Sequence, residues 1–223
     1  MASSLRKTHS NNSVNEYGKF NYYKFSPAPV GPYVIRNRLI DQSDNNLIFF
    51  QDSDDIPCYD RFATLGNYLK TMDCQMCGSH ELRIDYYKRV VQAIRFPLDV
   101  KATLNIGPHF ALLHPTACIT RNAFYDCGML SEERKFGNDT KFLLYSYFLL
   151  NRIYNIPKFL YIRKVHPGSL TTSPETMLNS PARRNLHYQW NYDFEKIKCG
   201  LISLRNSSLV PIKSPLNVLK RKC

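Results

Sequence analysis

This sequence predicts an α/β fold built on a mixed sheet, and three stretches point to it. Leu47, Ile48, Phe49 and Phe50 form a short apolar run without polar alternation, the pattern of a strand buried on both faces. Phe62, Leu65, Tyr68 and Leu69 recur at helical spacing, so residues 56–71 predict a helix, with Pro57 near its start and its apolar stripe on that sheet. Residues 139–152 carry the strongest helical pattern in the chain, and residues 155–163 then predict a second strand, entered through Pro157.

The 223 residues suffice for one domain with a full core and an appendage. Hydrophobic content is 43% and charged content 22%, ordinary values for a globular chain. The net charge of +12 points to an anionic partner: a nucleotide, a nucleic acid or an anionic membrane. From Ser173 onward there are nine Lys or Arg against three acids, so half of the net charge lies in the last quarter of the chain. A nucleic-acid-binding protein is a rival suggested by the charge and the 15 tyrosines, but the basic residues concentrate in the tail, no RNA-binding motif is present, and no nucleic acid is expected as a partner. Seven irregularly spaced cysteines predict reduced thiols in a cytoplasmic setting. The first residues lack the apolar segment of a signal peptide, and the longest apolar run, Phe142 to Leu150, is far short of the ~20 residues of a membrane span.

In order along the chain, residues 1–15 are Ser/Asn-rich, without periodicity, and predict a disordered terminus. Tyr22, Tyr23 and Phe25 suit a short strand. Pro32 suits the first turn of a helix through Val34, Ile35 and Leu39. After the helix at 56–71, Cys74-Gln-Met-Cys77 could be half of a zinc site, but no second pair completes it, so a short strand with buried thiols is the better expectation. Residues 85–105 read equally as helix or strand. Asn122 to Cys127 predicts a short helix stopped by Gly128. Ser173, Pro174, Ser180 and Pro181 predict a linker to a helix bearing Leu186, Trp190, Phe194 and Ile197.

The chemistry centres on the end of the first strand, where Asp52, Asp54 and Asp55 crowd within four residues. Carboxylates so close repel one another and call for a cation. Ligands of open α/β sheets sit beyond the carboxyl ends of strands, and Mg²⁺ commonly links one or two carboxylates to substrate phosphates. A metal–diphosphate site and a plain acidic turn before a helix both fit these residues.

Four ordered segments, GPYVIRN, FFQDSDDIPCYDR, FGNDTKF and KVHPGSLT, together resemble the inverting family 2 glycosyltransferases, with the intervening LLHPTACITRNAFYDCGML similar to the family segment before the catalytic loop. The resemblance covers roughly residues 18–172. It implies a GT-A-like sheet flanked by helices, with 16–172 as a partial glycosyltransferase domain and 173–223 as a basic helical tail. The implied reaction is metal-dependent, inverting transfer of a sugar from a nucleotide donor, a UDP-sugar first among them, to a glycan or lipid-linked acceptor. That setting would be polysaccharide biosynthesis for the cell envelope, on the cytoplasmic side and with possible peripheral attachment to a membrane through the tail.

By the same resemblance Asp139 is the catalytic base. Arg36, Asp52, Asp54, His166 and Ser169 serve the donor nucleotide, and Asp54, Asp55 and His166 serve Mn²⁺ or Mg²⁺. Each also has a plain reading: Asp139 as a helix cap, His166 as a turn residue, Arg36 as a solvated helix residue. Three departures stand out. Asn138 replaces the family's glutamate, and Lys164 its arginine, a point charge in place of a planar fork. No strand ending in an aspartate-rich, nucleobase-binding turn precedes Tyr17, so the domain is expected to be shortened at its N-terminus. A catalytically inactive remnant that binds a partner is therefore the alternative to an enzyme.

Overall fold

The computed structural model describes residues 6–7, 23–24, 31–166 and 171–214. Arg6–Lys7 (β1) and Tyr23–Lys24 (β2) pair antiparallel as a separate two-stranded ribbon. The helix α1, Pro32–Asp41, begins with proline at its first turn, where the missing N–H costs nothing. The strand β3, Leu47–Phe49, leads into the acidic turn.

The residues after that turn differ from expectation. Ile56–Pro57 form a two-residue strand, β4, and the helix α2 begins only at Arg61 and runs to Thr71. Cys58 N–H donates to the Leu160 carbonyl at 3.0 Å and Arg61 N–H to the Cys58 carbonyl at 3.1 Å, so a turn occupies what would be the first helical turn. The ambiguous stretch resolves into a hairpin and a helix. Met76–Asp85 (β5) turns into Val90–Ile94 (β6), with the Asp85 carboxylate accepting from Tyr87 and Lys88 N–H at 3.0 Å each. Then Asp99 caps α3, Val100–Ile106, by accepting from Ala102 N–H at 2.8 Å. Cys118–Thr120 (β7), Arg121–Asp126 (α4), Asn138–Leu149 (α5), Ile153–Val165 (β8) and Pro181–Lys198 (α6) follow.

The main sheet has the order β3-β7-β5-β8-β4, with β6 beside β5. It is mixed: β5 and β8 run parallel and the other pairs antiparallel. The β5–β8 register slips around Ser79 and His80, opposite the bulge that takes up Pro157 and Lys158. A proline has no N–H for the ladder, so a bulge is where a central strand can hold one.

Alternate side chains of the strands feed two cores, the mark of a sheet covered on both faces. Met76, Ile119 and Ile153 join α3, α4, α5 and α6 in the larger one, which holds Phe124, Phe142, Trp190 and Phe194. Cys77 and Cys118 join Leu65 and Leu69 of α2 in the smaller one. The cysteine pair behaves as buried packing: Cys74 and Cys77 are enclosed, and His80 is committed elsewhere, its Nδ1 accepting from Phe96 N–H at 3.1 Å.

Candidate active site

The sequence between β3 and β4 is short and acidic, so the chain must pin it from outside, and β8 does so. Tyr161 Oη donates to Asp55 Oδ2 at 2.7 Å, and Lys164 N–H donates to Asp55 Oδ1 at 2.7 Å. Gln51 bridges the turn internally, its Nε2 donating to the Asp52 and Asp55 carbonyls at 2.8 and 3.1 Å. Below it lies Arg61, wholly buried, donating to Gln51 Oε1 at 2.6 Å and to the carbonyls of Phe50 and Pro115 at 2.7 and 2.6 Å. Its guanidinium also lies over the Tyr161 ring, 5.1 Å from the centroid. Burial lowers its pKa, yet a guanidinium stays charged, so the floor of the acidic turn is positive.

His166, at the end of β8, places Nε2 2.8 Å from Asp54 Oδ2, and this bond holds the Asp54 carboxyl below its ordinary range against a smaller opposing effect of burial. Asp52 is the opposite case. Burial pushes its pKa up, the neighbouring Asp55, Asp54 and Asp139 add to the rise, and the Arg36 guanidinium, in direct contact, opposes it.

Asp139 stands two residues after the left-handed Gly137 that opens α5. It does not cap that helix with its side chain. Its Oδ1 instead accepts from Tyr33 Oη at 3.1 Å. Beside it, Asn138 is fully buried, and its Nδ2 donates to the carbonyls of Ser131 and Arg134 at 2.8 and 3.0 Å. Where the resemblance has a glutamate, this chain therefore has a residue that ties down the 131–134 loop. Lys141 is also buried and pairs with Glu133 at 2.9 Å, fixing the same loop to α5. His114 lies under the site, its ring centroid 4.0 Å from that of Phe50, and burial drives its pKa down to about 3, so it is neutral.

Neither a family model nor a curated protein matches the sequence. Solved structures do match. Residues 1–349 of TarS from S. aureus, in complex with UDP-GlcNAc, superpose with a TM-score of 0.53 at 20% identity, over 75% of this chain and 53% of that one. A structure of S. aureus TarS superposes with a TM-score of 0.50 at 18% identity, over 74% of this chain and 31% of that one. The chain shares its fold with the TarS 1–349 structure. This chain spans about half the length of TarS 1–349.

Within that fold, Arg36, Asp52, Asp54, Asp55, Asp139 and His166 gather at one end of the sheet, as direct contacts and mutual electrostatic effects show. Ser169 lies outside the described residues. Among the described residues no cluster of three or more His, Cys, Asp or Glu side chains is placed to hold a metal ion by itself. Asp54 and His166 nevertheless offer a carboxylate oxygen and an imidazole nitrogen 2.8 Å apart, with side chains 50% and 37% exposed. That donor set fits an ion whose remaining ligands are phosphate oxygens. Asp55 fits less well, since each of its oxygens already accepts a protein hydrogen bond.

Sequence reasoning missed Tyr33, Arg61 and Tyr161. Tyr33 was visible inside the GPYVIRN segment, three residues before Arg36, the spacing that puts both on one helix face. Arg61 likewise stood inside the FFQDSDDIPCYDR segment, whereas Tyr161 left no such trace, because it reaches the turn from the distant β8. No described helix is long and apolar enough to cross a membrane.

Proposed function

We propose that this chain transfers a sugar from a nucleotide-sugar donor, a UDP-sugar in the first instance, to a hydroxyl of a glycan or lipid-linked acceptor, with inversion. The observation that supports this most is the convergence of the Asp52–Asp55 turn, His166 and Asp139 in a fold shared with TarS, which is solved with UDP-GlcNAc. Arg36 and Asp52 would meet the nucleotide. Asp54 and His166 would hold Mn²⁺ or Mg²⁺, which when bound neutralises charge on the departing diphosphate. Asp55 would keep the turn in shape from its place on Tyr161. Asp139 would accept the proton of the acceptor hydroxyl as its oxygen bonds to the anomeric carbon and the bond to the donor phosphate breaks. A single base and one displacement give inversion. An acceptor embedded in lipid would set the enzyme on the cytoplasmic face of a membrane.

Thermal shift with UDP tests donor binding. At a hundred times its dissociation constant the ligand should stabilise the fold by about 2.7 kcal/mol, only with Mn²⁺ or Mg²⁺ present, and Asp54→Ala should remove that dependence. Transfer assays test the base. Asp139→Asn should keep the melting temperature and metal–UDP binding but lose about 10²- to 10⁴-fold in rate. A wild-type chain that neither transfers nor hydrolyses any nucleotide sugar would be an inactive remnant instead.

A further inference from the structure

We infer that Tyr33 is the positioning residue for the base: its hydroxyl sets the orientation of the Asp139 carboxylate toward the acceptor. The inference rests on the transfer reaction proposed above. Tyr33 is 5% exposed, and its Oη donates to Asp139 Oδ1 at 3.1 Å. This bond restrains the rotation of the Asp139 carboxylate. Among the described residues no donor reaches Asp139 Oδ2, the oxygen left to take a proton.

The helix that carries Tyr33 is itself fixed to the segment leading into α5. Asn37 Nδ2 donates to the Leu130 carbonyl at 2.8 Å and to Glu132 Oε1 at 2.8 Å, while its Oδ1 accepts from Leu130 N–H at 3.1 Å. One turn after Tyr33, Arg36 pairs with Asp52, and its guanidinium lies 5.8 Å from the Tyr33 ring centroid. The two residues sit on one face of α1. One holds the base and the other the acidic turn, so α1 sets the separation between the proton acceptor and the donor site. A misplacement of about 1 Å in such an arrangement can cost 10²-fold in rate.

A bland role exists. The Tyr33–Asp139 bond also ties α1 to the start of α5 and could serve as that brace alone. Kinetics separate the two. With UDP-sugar, Mn²⁺ and acceptor, Tyr33→Phe should lower kcat by roughly 10- to 100-fold and leave the donor KM within about twofold. In the Asp139→Asn background the same substitution should cost nothing further, since residues acting as one unit are not additive. Incorporating 3-fluorotyrosine at position 33 keeps the shape and strengthens hydrogen-bond donation. It should move the acid limb of the kcat–pH profile to lower pH, and it serves even if Tyr33→Phe fails to fold. Wild-type turnover in Tyr33→Phe, full multiplicative loss in the double variant, or an unmoved acid limb would each overturn the role of Tyr33 while leaving the transferase standing. Absence of transfer by the wild type would overturn both.

Discussion

Asp52 carries its negative charge where the fold makes it costly. Burial raises its pKa first, three neighbouring carboxylates add to the rise, and Arg36 offsets only part of it. A carboxyl whose folded pKa exceeds its unfolded value favours folding in its protonated form. The penalty therefore appears as pH rises through the ordinary carboxylate range, about 3.9 for Asp, and persists at neutral pH. Asp52→Asn should hold or raise the melting temperature at pH 7.5, with the difference from wild type vanishing at about pH 3, and should weaken UDP binding. A lower melting temperature at neutral pH would mean that the Arg36 pairing outweighs the burial penalty. The acid run itself was legible, though three aspartates in four residues after an apolar strand fit a metal–diphosphate site and a plain acidic turn alike. Their division of labour was not. Asp55 takes its partner, Tyr161, from 106 residues away, and nothing local to either residue announces that contact. Asp139 was legible as a residue near a helix start, and the structure removes the alternative reading of it as a cap, since its side chain makes no capping bond.

At the scale of elements, periodic segments read well and short edge pieces did not. The helices α1 and α5 and the strand β8 carry patterns long enough to be found, although α1 buries Tyr33, Val34, Asn37 and Ile40 and leaves the expected Leu39 exposed. The two-residue β4 has no pattern at all and exists because β8 offers it a partner. The strand β6 is exposed along most of its length, so it lacks the alternation that would have named it. The start of α5 bears most directly on function. Gly137 takes φ of +78°, and a Cβ there would come within 3.3 Å of Trp190 on α6. Gly137→Ala must hold a left-handed residue, at about 1–2 kcal/mol, and also displace an indole that is fully buried. Chemical denaturation should show a loss of about 1–3 kcal/mol. Because Asp139 follows two residues later, transfer should fall further than the lost fraction of folded protein explains. Unchanged activity per folded molecule would mean that the Tyr33 contact alone fixes the base.

Across the whole molecule, the basic C-terminal quarter shapes the core as much as the surface. The sequence separates it after Thr172 through a Ser/Pro-rich stretch, and α6 does follow that stretch, with Ser180 accepting from Arg183 N–H as its cap. Its apolar stripe lies in the main core. Trp190 is 1% exposed and Phe194 0%, Phe194 contacts the rings of Tyr147 and Phe148 on α5, and Leu209, beyond the helix, is also 0% exposed. Only four of the quarter's nine Lys and Arg lie on α6, and one of them, Arg183, is buried, so most of its positive charge comes from residues beyond the helix. Each large apolar side chain withdrawn from water is worth about 1.5–3 kcal/mol, so these three together contribute roughly 5–9 kcal/mol. Domains of this size have a net stability of only about 5–15 kcal/mol. Deleting residues 173–223 should therefore abolish cooperative thermal unfolding and expose the apolar face of α5, which a far-ultraviolet melt and dye binding would register. Loss of membrane or nucleotide binding in such a truncation would then report unfolding, not the removal of a docking site. Charge reversal at Lys220, Arg221 and Lys222 in the untruncated 223-residue chain is the variant that isolates electrostatics. A truncated chain that melts cooperatively near the wild-type temperature would show that α6 leans on the core without supporting it.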